Sequence, residues 1–286
     1  MDSRREFLTS VGVGLLGTGL VSAQQTPTPP GQGSVFLGER TRNAGPPPVV
    51  RKVKTTPLFK SPEGYPNGIA VAPEGLWICE QKSDSAMLVD WNGKLLKTLK
   101  TNSKNTSGIA YGDGCVWMAA NSSAAEGIFQ IDMTGRELTH RQIPLGQPDN
   151  GGGCHGIEYV DGKIFIAALR LRGILRVDAK TWQPEFMIPY SVPRAHGIAH
   201  NPKDNTVWMV SGTGDTSQTA AAMGLTQYDG ATGRVLSTAA FAKTDCDPHG
   251  LAWYNGELYS SDAGIHPGWP DDISPTHGYI FKIDFV

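Results

Sequence analysis

Between Cys246 and Asp262 the chain sets a histidine among two carboxylates. An imidazole titrates near neutral pH, so His249 suits a general base. Asp247 lies two residues before it and Asp262 thirteen residues after it. Those carboxylates could hold a hard divalent cation such as Mg²⁺ or Ca²⁺. The apolar runs Leu251-Ala252-Trp253 and Leu258-Tyr259 flank Asn255-Gly256. Asn-Gly between such runs is the strongest short-range signal of a two-residue hairpin. A turn there brings His249 opposite Asp262. Two further His-Gly pairs, His155-Gly156 and His196-Gly197, repeat the motif upstream.

Those pairs belong to a repeat that must position them. Five units begin Asn67-Gly68-Ile69, Ser107-Gly108-Ile109, His155-Gly156-Ile157, His196-Gly197-Ile198 and His249-Gly250-Leu251. Each continues into a second apolar strand bearing an aromatic residue (Trp77, Trp117, Phe165, Trp208, Tyr259) and a third ending in aspartate (Asp90, Asp132, Asp178, Asp229, Asp284). A fourth strand follows in the first four units. Short strands at a period of roughly 40–50 residues, without helical periodicity, predict an all-β fold, a single β-propeller of four-stranded blades. Five blades are expected. A sixth would have to come from the stretch after Ser211 or from residues 264–279, both too polar or too rich in Gly and Pro. The fifth unit ends with the chain, so the strand-like segment from Val49 to Phe59 is expected to supply its outer strand and close the ring. The repeated aspartates read as turn formers, and the aromatics as packing between blades.

Propeller topology brings the first residue of every innermost strand to one mouth of the central channel. Asn67, Ser107, His155, His196 and His249 should therefore form a ring, with Glu80 and Asp262 ending the next strand in blades one and five. The loops from Gly212 to Gly224 and from Ala263 to Gly278 open on the same face. The second carries His266, Trp269, Asp271, Asp272 and His277, and Trp269 is a candidate substrate-binding aromatic. Asn67 and Ser107 are candidate substrate-binding polar groups. Asp247, Asp262 and Glu80 are the candidate metal carboxylates. Should the three histidines converge, a transition metal becomes the alternative.

The 286 residues carry a net charge of −2, with Lys and Arg scattered, which leaves no nucleic-acid groove or basic membrane patch. The expected partner of a monomer of this kind is a small molecule. Arg4-Arg5, a weakly apolar run from Val11 to Val21 and Ser22-Ala23 read as a twin-arginine signal over residues 1–23. Residues 24–48, rich in Pro and Gly, read as an extended linker, and residues 49–286 as the propeller. The protein is then periplasmic or secreted, soluble, and off the membrane once the signal is removed. Export permits disulfides, and Cys79, Cys115, Cys154 and Cys246 allow three pairings. Cys154 and Cys246 each shortly precede a His-Gly and could pair; Cys79 and Cys115 sit in or beside apolar strands, as buried thiols do.

The pattern Pro66-Asn67-Gly68-Ile69-Ala70 followed by Leu76-Trp77-Ile78-Cys79-Glu80 resembles the virginiamycin B (streptogramin) lyase family and, more broadly, the gluconolactonase-like propellers. The resemblance runs from about residue 60 to the end. It implies His249 as the base, Asp247 and Asp262 as magnesium carboxylates, and eliminative opening of an ester-linked ring. The sequence departs from those lyases by having Asp where they have Glu, and five units where they have seven. The plant-type glutaminyl cyclases are also five-bladed, but their blade motifs do not occur here. The function expected is an exported metal-dependent lyase acting on a small ester, lactone or sugar-acid-like molecule, with His155 and His196 orienting substrate or completing the metal sphere. A gluconolactonase-like hydrolase and a non-catalytic binding propeller are the alternatives.

Overall fold

The computed structural model describes residues 45–121, 126–145, 153–192, 194–212, 224–241, 246–264 and 276–286. The expected signal, most of the linker, and Trp269 with His266, Asp271 and Asp272 lie outside the described residues. Two N-terminal strands, β1 (Val49–Arg51) and β2 (Val53–Lys60), precede the first blade. Blade one is β3 (Pro66–Ala72), β4 (Gly75–Glu80), β5 (Ser85–Val89) and β6 (Leu95–Lys100). Blade two is β7 (Thr106–Gly112), β8 (Cys115–Ala120), β9 (Gly127–Asp132) and β10 (Glu137–Arg141). Blade three is β11 (Cys154–Val160), β12 (Lys163–Ala168), β13 (Gly173–Asp178) and β14 (Pro184–Pro189). Blade four is β15 (Ala195–Asn201), β16 (Thr206–Ser211), β17 (Gly224–Asp229) and β18 (Val235–Ala240). Blade five has β19 (Pro248–Tyr254), β20 (Glu257–Asp262) and β21 (Tyr279–Phe285) from the C-terminal part of the chain.

The expected closure is present. Blade five runs β19-β20-β21-β2, with β2 antiparallel to β21 from Val53 opposite Phe285 to Lys60 opposite Tyr279. The same N-terminal stretch does a second thing that its sequence does not announce. β1 lies parallel to β18, with Val49 opposite Ser237, and gives blade four a fifth strand. Only Lys52 separates β1 from β2, and its carbonyl accepts a hydrogen bond from the Val286 amide at 3.0 Å. One N-terminal segment thus changes sheets in the middle, and fastens blades four and five together.

Each repeated feature has its physical job. In the first four blades the aspartate ending the third strand folds the next turn. Its Oδ1 accepts two backbone amides, those of Asn92 and Lys94 for Asp90, Thr134 and Arg136 for Asp132, Lys180 and Thr181 for Asp178, and Ala231 and Thr232 for Asp229. These bonds favour the ionised carboxylate and hold Asp132, Asp178 and Asp229 below the usual carboxylate range. The second-strand aromatics sit one in each of five apolar clusters between successive blades. Trp77 packs against Ile109 and Phe129 of blade two, and Trp117 against blade three. Phe165 packs against blade four, Trp208 against Leu251 and Phe281 of blade five, and Tyr259 against Ile69 of blade one. Burying such a ring contributes about 2–3 kcal/mol. All four cysteines are buried, and none is joined in a disulfide among the described residues.

The glycine that follows each ring position closes the axis. A Cβ on Gly68 would lie 2.9 Å from Gly108 Cα, one on Gly108 2.3 Å from His155 O, and one on Gly156 2.5 Å from His196 O. One on Gly197 would lie 2.5 Å from His249 O, and one on Gly250 2.7 Å from Ile69 N, which completes the circle. Five blades bring five backbones so near that only glycine fits. The ring of histidines therefore stands above a floor of backbone.

Candidate functional site: a histidine cluster at one mouth

The hairpin forms as its Asn-Gly pair requires. Tyr254 faces Glu257, and Asn255 and Gly256 take φ of 51° and 88°. The register then departs from the simple expectation. Leu251 pairs with Ser260, but Pro248, not His249, pairs with Asp262. The inner strand carries one extra residue, a β-bulge. The same shift occurs in every blade, between Pro66 and Gly68, Thr106 and Gly108, Cys154 and Ile157, Ala195 and Ile198, and Pro248 and Leu251. Each of Asn67, Ser107, His155, His196 and His249 lies in its blade's bulge. A bulge breaks the ladder locally and re-aims a side chain. In blade five the Gly250 amide is satisfied by Ser261 Oγ at 2.9 Å.

Three of the five ring residues converge. The His155 and His196 rings lie 4.8 Å apart between centroids, nearly edge to face, and His196 and His249 lie 4.3 Å apart. All three are buried, as are Asp247 and Asp262. His249 Nδ1 lies 2.9 Å from the Asp247 carbonyl oxygen and 3.7 Å from its carboxylate. A carbonyl only accepts, so Nδ1 carries the proton and the lone pair of the neutral ring is on Nε2. Asp247 is in turn held by Asp262, whose Oδ2 accepts the Asp247 amide at 2.9 Å and the Thr276 hydroxyl at 2.8 Å. Asp262 therefore acts on His249 through Asp247.

Arg194 completes the cluster, and sequence reasoning passed over it. Its Nη2 donates to His155 Nε2 at 3.3 Å. Burial pulls the guanidinium below its ordinary pKa, against the attraction of Asp247. The signal was available: Arg194 stands two residues before His196 as Asp247 stands two before His249. The remaining ring members turn to structural work. Asn67 donates its amide to Thr106 O at 3.0 Å, joining blades one and two, and Ser107 Oγ bonds Asn105 O at 3.2 Å. Glu80 lies in the seam between blades five and one, where Oε1 accepts Ser61 Oγ and Oε2 accepts the Tyr65 amide, each at 2.8 Å. Burial raises the Glu80 carboxyl above its usual value despite those donors.

This chemistry bears on the expected cation. Both Glu80 oxygens and Asp262 Oδ2 already accept protein donors, and His155 Nε2 faces a guanidinium. Among the described residues no three His, Cys, Asp or Glu side chains gather as a metal site. No step below runs through a cation. A cleft of about 390 Å³ between Pro46–Pro48 and Tyr190, Tyr228 and Arg234 lies away from the histidines and contributes nothing to this cluster.

No protein-family model and no curated protein matches the chain. Solved structures do. A glutaminyl cyclase from Myxococcus xanthus superposes with a TM-score of 0.58 at 10% identity, over 84% of this chain and 98% of the other. A chain of a nidogen/laminin complex gives 0.51 at 14% identity, over 72% and 74%. A streptogramin B lyase gives 0.49 at 14% identity, over 82% and 98%. The chain is a five-bladed β-propeller. Likeness at these identities shows that fold alone, and function has to come from the site.

Proposed function

We propose that the protein is an exported lyase for a small ester, lactone or sugar-acid-like substrate, with His249 as general base. The observation that carries this reading is the His249–Asp247 pair set against His196, His155 and Arg194. Nδ1–H is fixed on the Asp247 carbonyl, which presents Nε2 as the base. Nε2 takes the proton from a carbon next to a carbonyl. The C–H electrons form the new C=C bond, and the bond from the β-carbon to its oxygen breaks. The Asp247 carboxylate, 3.7 Å from Nδ1, favours the imidazolium that results. Arg194 supplies fixed positive charge for the enolate oxygen, and its bond to His155 aims it. Once protonated, the cluster returns the proton to the departing oxygen.

The test is product analysis of the purified chain on a panel of lactones, cyclic esters and uronate esters. The expected product is unsaturated, and His249→Ala lowers its formation about 10²–10⁴-fold. Incorporation of heavy oxygen from solvent, without a double bond, replaces the reading with a hydrolase. If neither product forms and His249→Ala leaves ligand binding unchanged, the propeller only binds.

A further inference from the structure

A second site lies at the other end of blade five. β19 starts beside the histidines and ends at Tyr254, about 17–20 Å further along the strand. There a groove of about 540 Å³ is lined by Pro202 and Lys203 of blade four and by Trp253, Tyr254, Asn255 and Gly256 of blade five. Its volume lies within the range of about 300–1,000 Å³ usual for small-ligand sites. We propose that this groove binds a saccharide. It is separate from the histidine mouth, and its case does not rest on the lyase reading.

The lining chemistry selects that ligand. Trp253 is a partly exposed aromatic at the end of a strand, on the side of blade four, whereas Tyr254, the next residue, points to the opposite face and packs towards blade one. Trp208 lies parallel to Trp253, with centroids 6.4 Å apart and planes 8° apart, and Trp91 stacks on Tyr254 at 4.5 Å and 16°. A Trp253 ring held this way loses little freedom when a ligand settles on it. Beside Trp253 the groove is lined by an exposed carboxamide, Asn255, and an exposed ammonium, Lys203. Asn255 is fixed by the hairpin at φ 51°. A pyranose presents a C–H face that packs on an aromatic ring and a rim of hydroxyls that bond an amide and an amine. A purely apolar ligand would bring nothing to Asn255 or Lys203. Of the six lining residues Lys203 alone is charged, so a neutral sugar and a uronate share the required chemistry, and the uronate adds an ion pair.

The experiment is isothermal titration of the whole protein with cellohexaose, chitohexaose and oligogalacturonate. Saturable binding of at least one is expected. Trp253 also packs in the blade interface, so Trp253→Ala risks the fold. The decisive variants are therefore Lys203→Ala and Asn255→Gly, the first at an exposed side chain and the second at a positive φ that glycine adopts readily. Asn255→Gly should weaken binding several-fold whichever sugar binds. Lys203→Ala should weaken oligogalacturonate at least tenfold and the neutral sugars less, which distinguishes the two sources. The proposal is overturned by no saturable binding to any of the three, by binding unchanged in both variants, or by a proline-rich peptide binding where the sugars do not.

Discussion

Replacing Asp262 separates two accounts of the carboxylates at the mouth. In the structure Asp262 is fully buried, and its Oδ2 accepts the Asp247 amide at 2.9 Å and the Thr276 hydroxyl at 2.8 Å. A hydrogen bond to a charged acceptor contributes about 1.5–3 kcal/mol, and a buried donor left alone costs about 1–3 kcal/mol. Asp262→Ala removes both bonds and orphans the Asp247 N–H, so a loss of about 3–5 kcal/mol is expected. Asp262→Asn keeps one acceptor oxygen and should lose about 1–2 kcal/mol. Thr276→Val alone should lose about 1 kcal/mol, and little further when added to Asp262→Ala, because the bond is already gone. The assay is urea unfolding, run in chelator and again with excess Mg²⁺ or Ca²⁺. The midpoint losses should be the same in both. A cation ligand behaves otherwise: in chelator Asp262→Ala would be as stable as the parent, and only the parent would gain on adding metal. That pattern would refute the hydrogen-bonded account of Asp262.

Two further substitutions test the frame of the site. Gly156→Ala puts a Cβ 2.5 Å from His196 O and 2.6 Å from Gly197 Cα, both backbone, so a loss of about 3 kcal/mol or more is expected on thermal unfolding. Gly162→Ala, at φ 78° with open space around it, should lose only about 1 kcal/mol. Glu158 stands on β11 where the other innermost strands have alanine, and burial pushes its carboxyl up to about 8. A carboxyl raised in the folded state costs nothing below its unfolded value, near 4.5, and destabilises progressively as pH climbs to about 8. Its side chain is only partly sequestered, so only part of that shift converts to stability. Glu158→Gln should raise stability by about 1–2 kcal/mol at pH 9 and leave it unchanged at pH 4; equal gains at both would disprove the assignment.

The fold was legible because it is written five times. Period, second-strand aromatics and turn aspartates each recur, and each recurrence has a local cause visible in a handful of residues. The closure by Val53–Lys60 followed from a simple deficit, one strand short in blade five. What sequence could not show was where backbones run out of room. Counting residues back from Asn255-Gly256 put His249 opposite Asp262, and the bulge moved Pro248 there instead. That bulge has no composition signal of its own. It appears where five inner strands crowd at the axis, and crowding is a property of the assembled ring. The β1 strap escaped notice for a related reason, since Val49-Val50-Arg51 reads the same whichever sheet it joins.

The glycine floor decides what kind of site this propeller can have. A wider ring leaves a channel that ligands enter from either end, but here the backbones of five blades meet at Gly68, Gly108, Gly156, Gly197 and Gly250. The bulge residues just before those glycines can then act only on one side of the floor. Within that rim the chemistry is lopsided. Blades one and two spend Asn67 and Ser107 on bonds to Thr106 and Asn105, whereas blades three, four and five bring His155, His196 and His249 into contact. Two charged residues that stand next to histidines, Arg194 and Asp247, occupy equivalent places two residues ahead of His196 and His249 in adjacent blades. A repeat used only for packing would have no reason to place opposite charges at one position of neighbouring units, around the one residue type that titrates near neutrality. The asymmetry is what the proposed lyase site requires, and it gathers these residues on blades three to five.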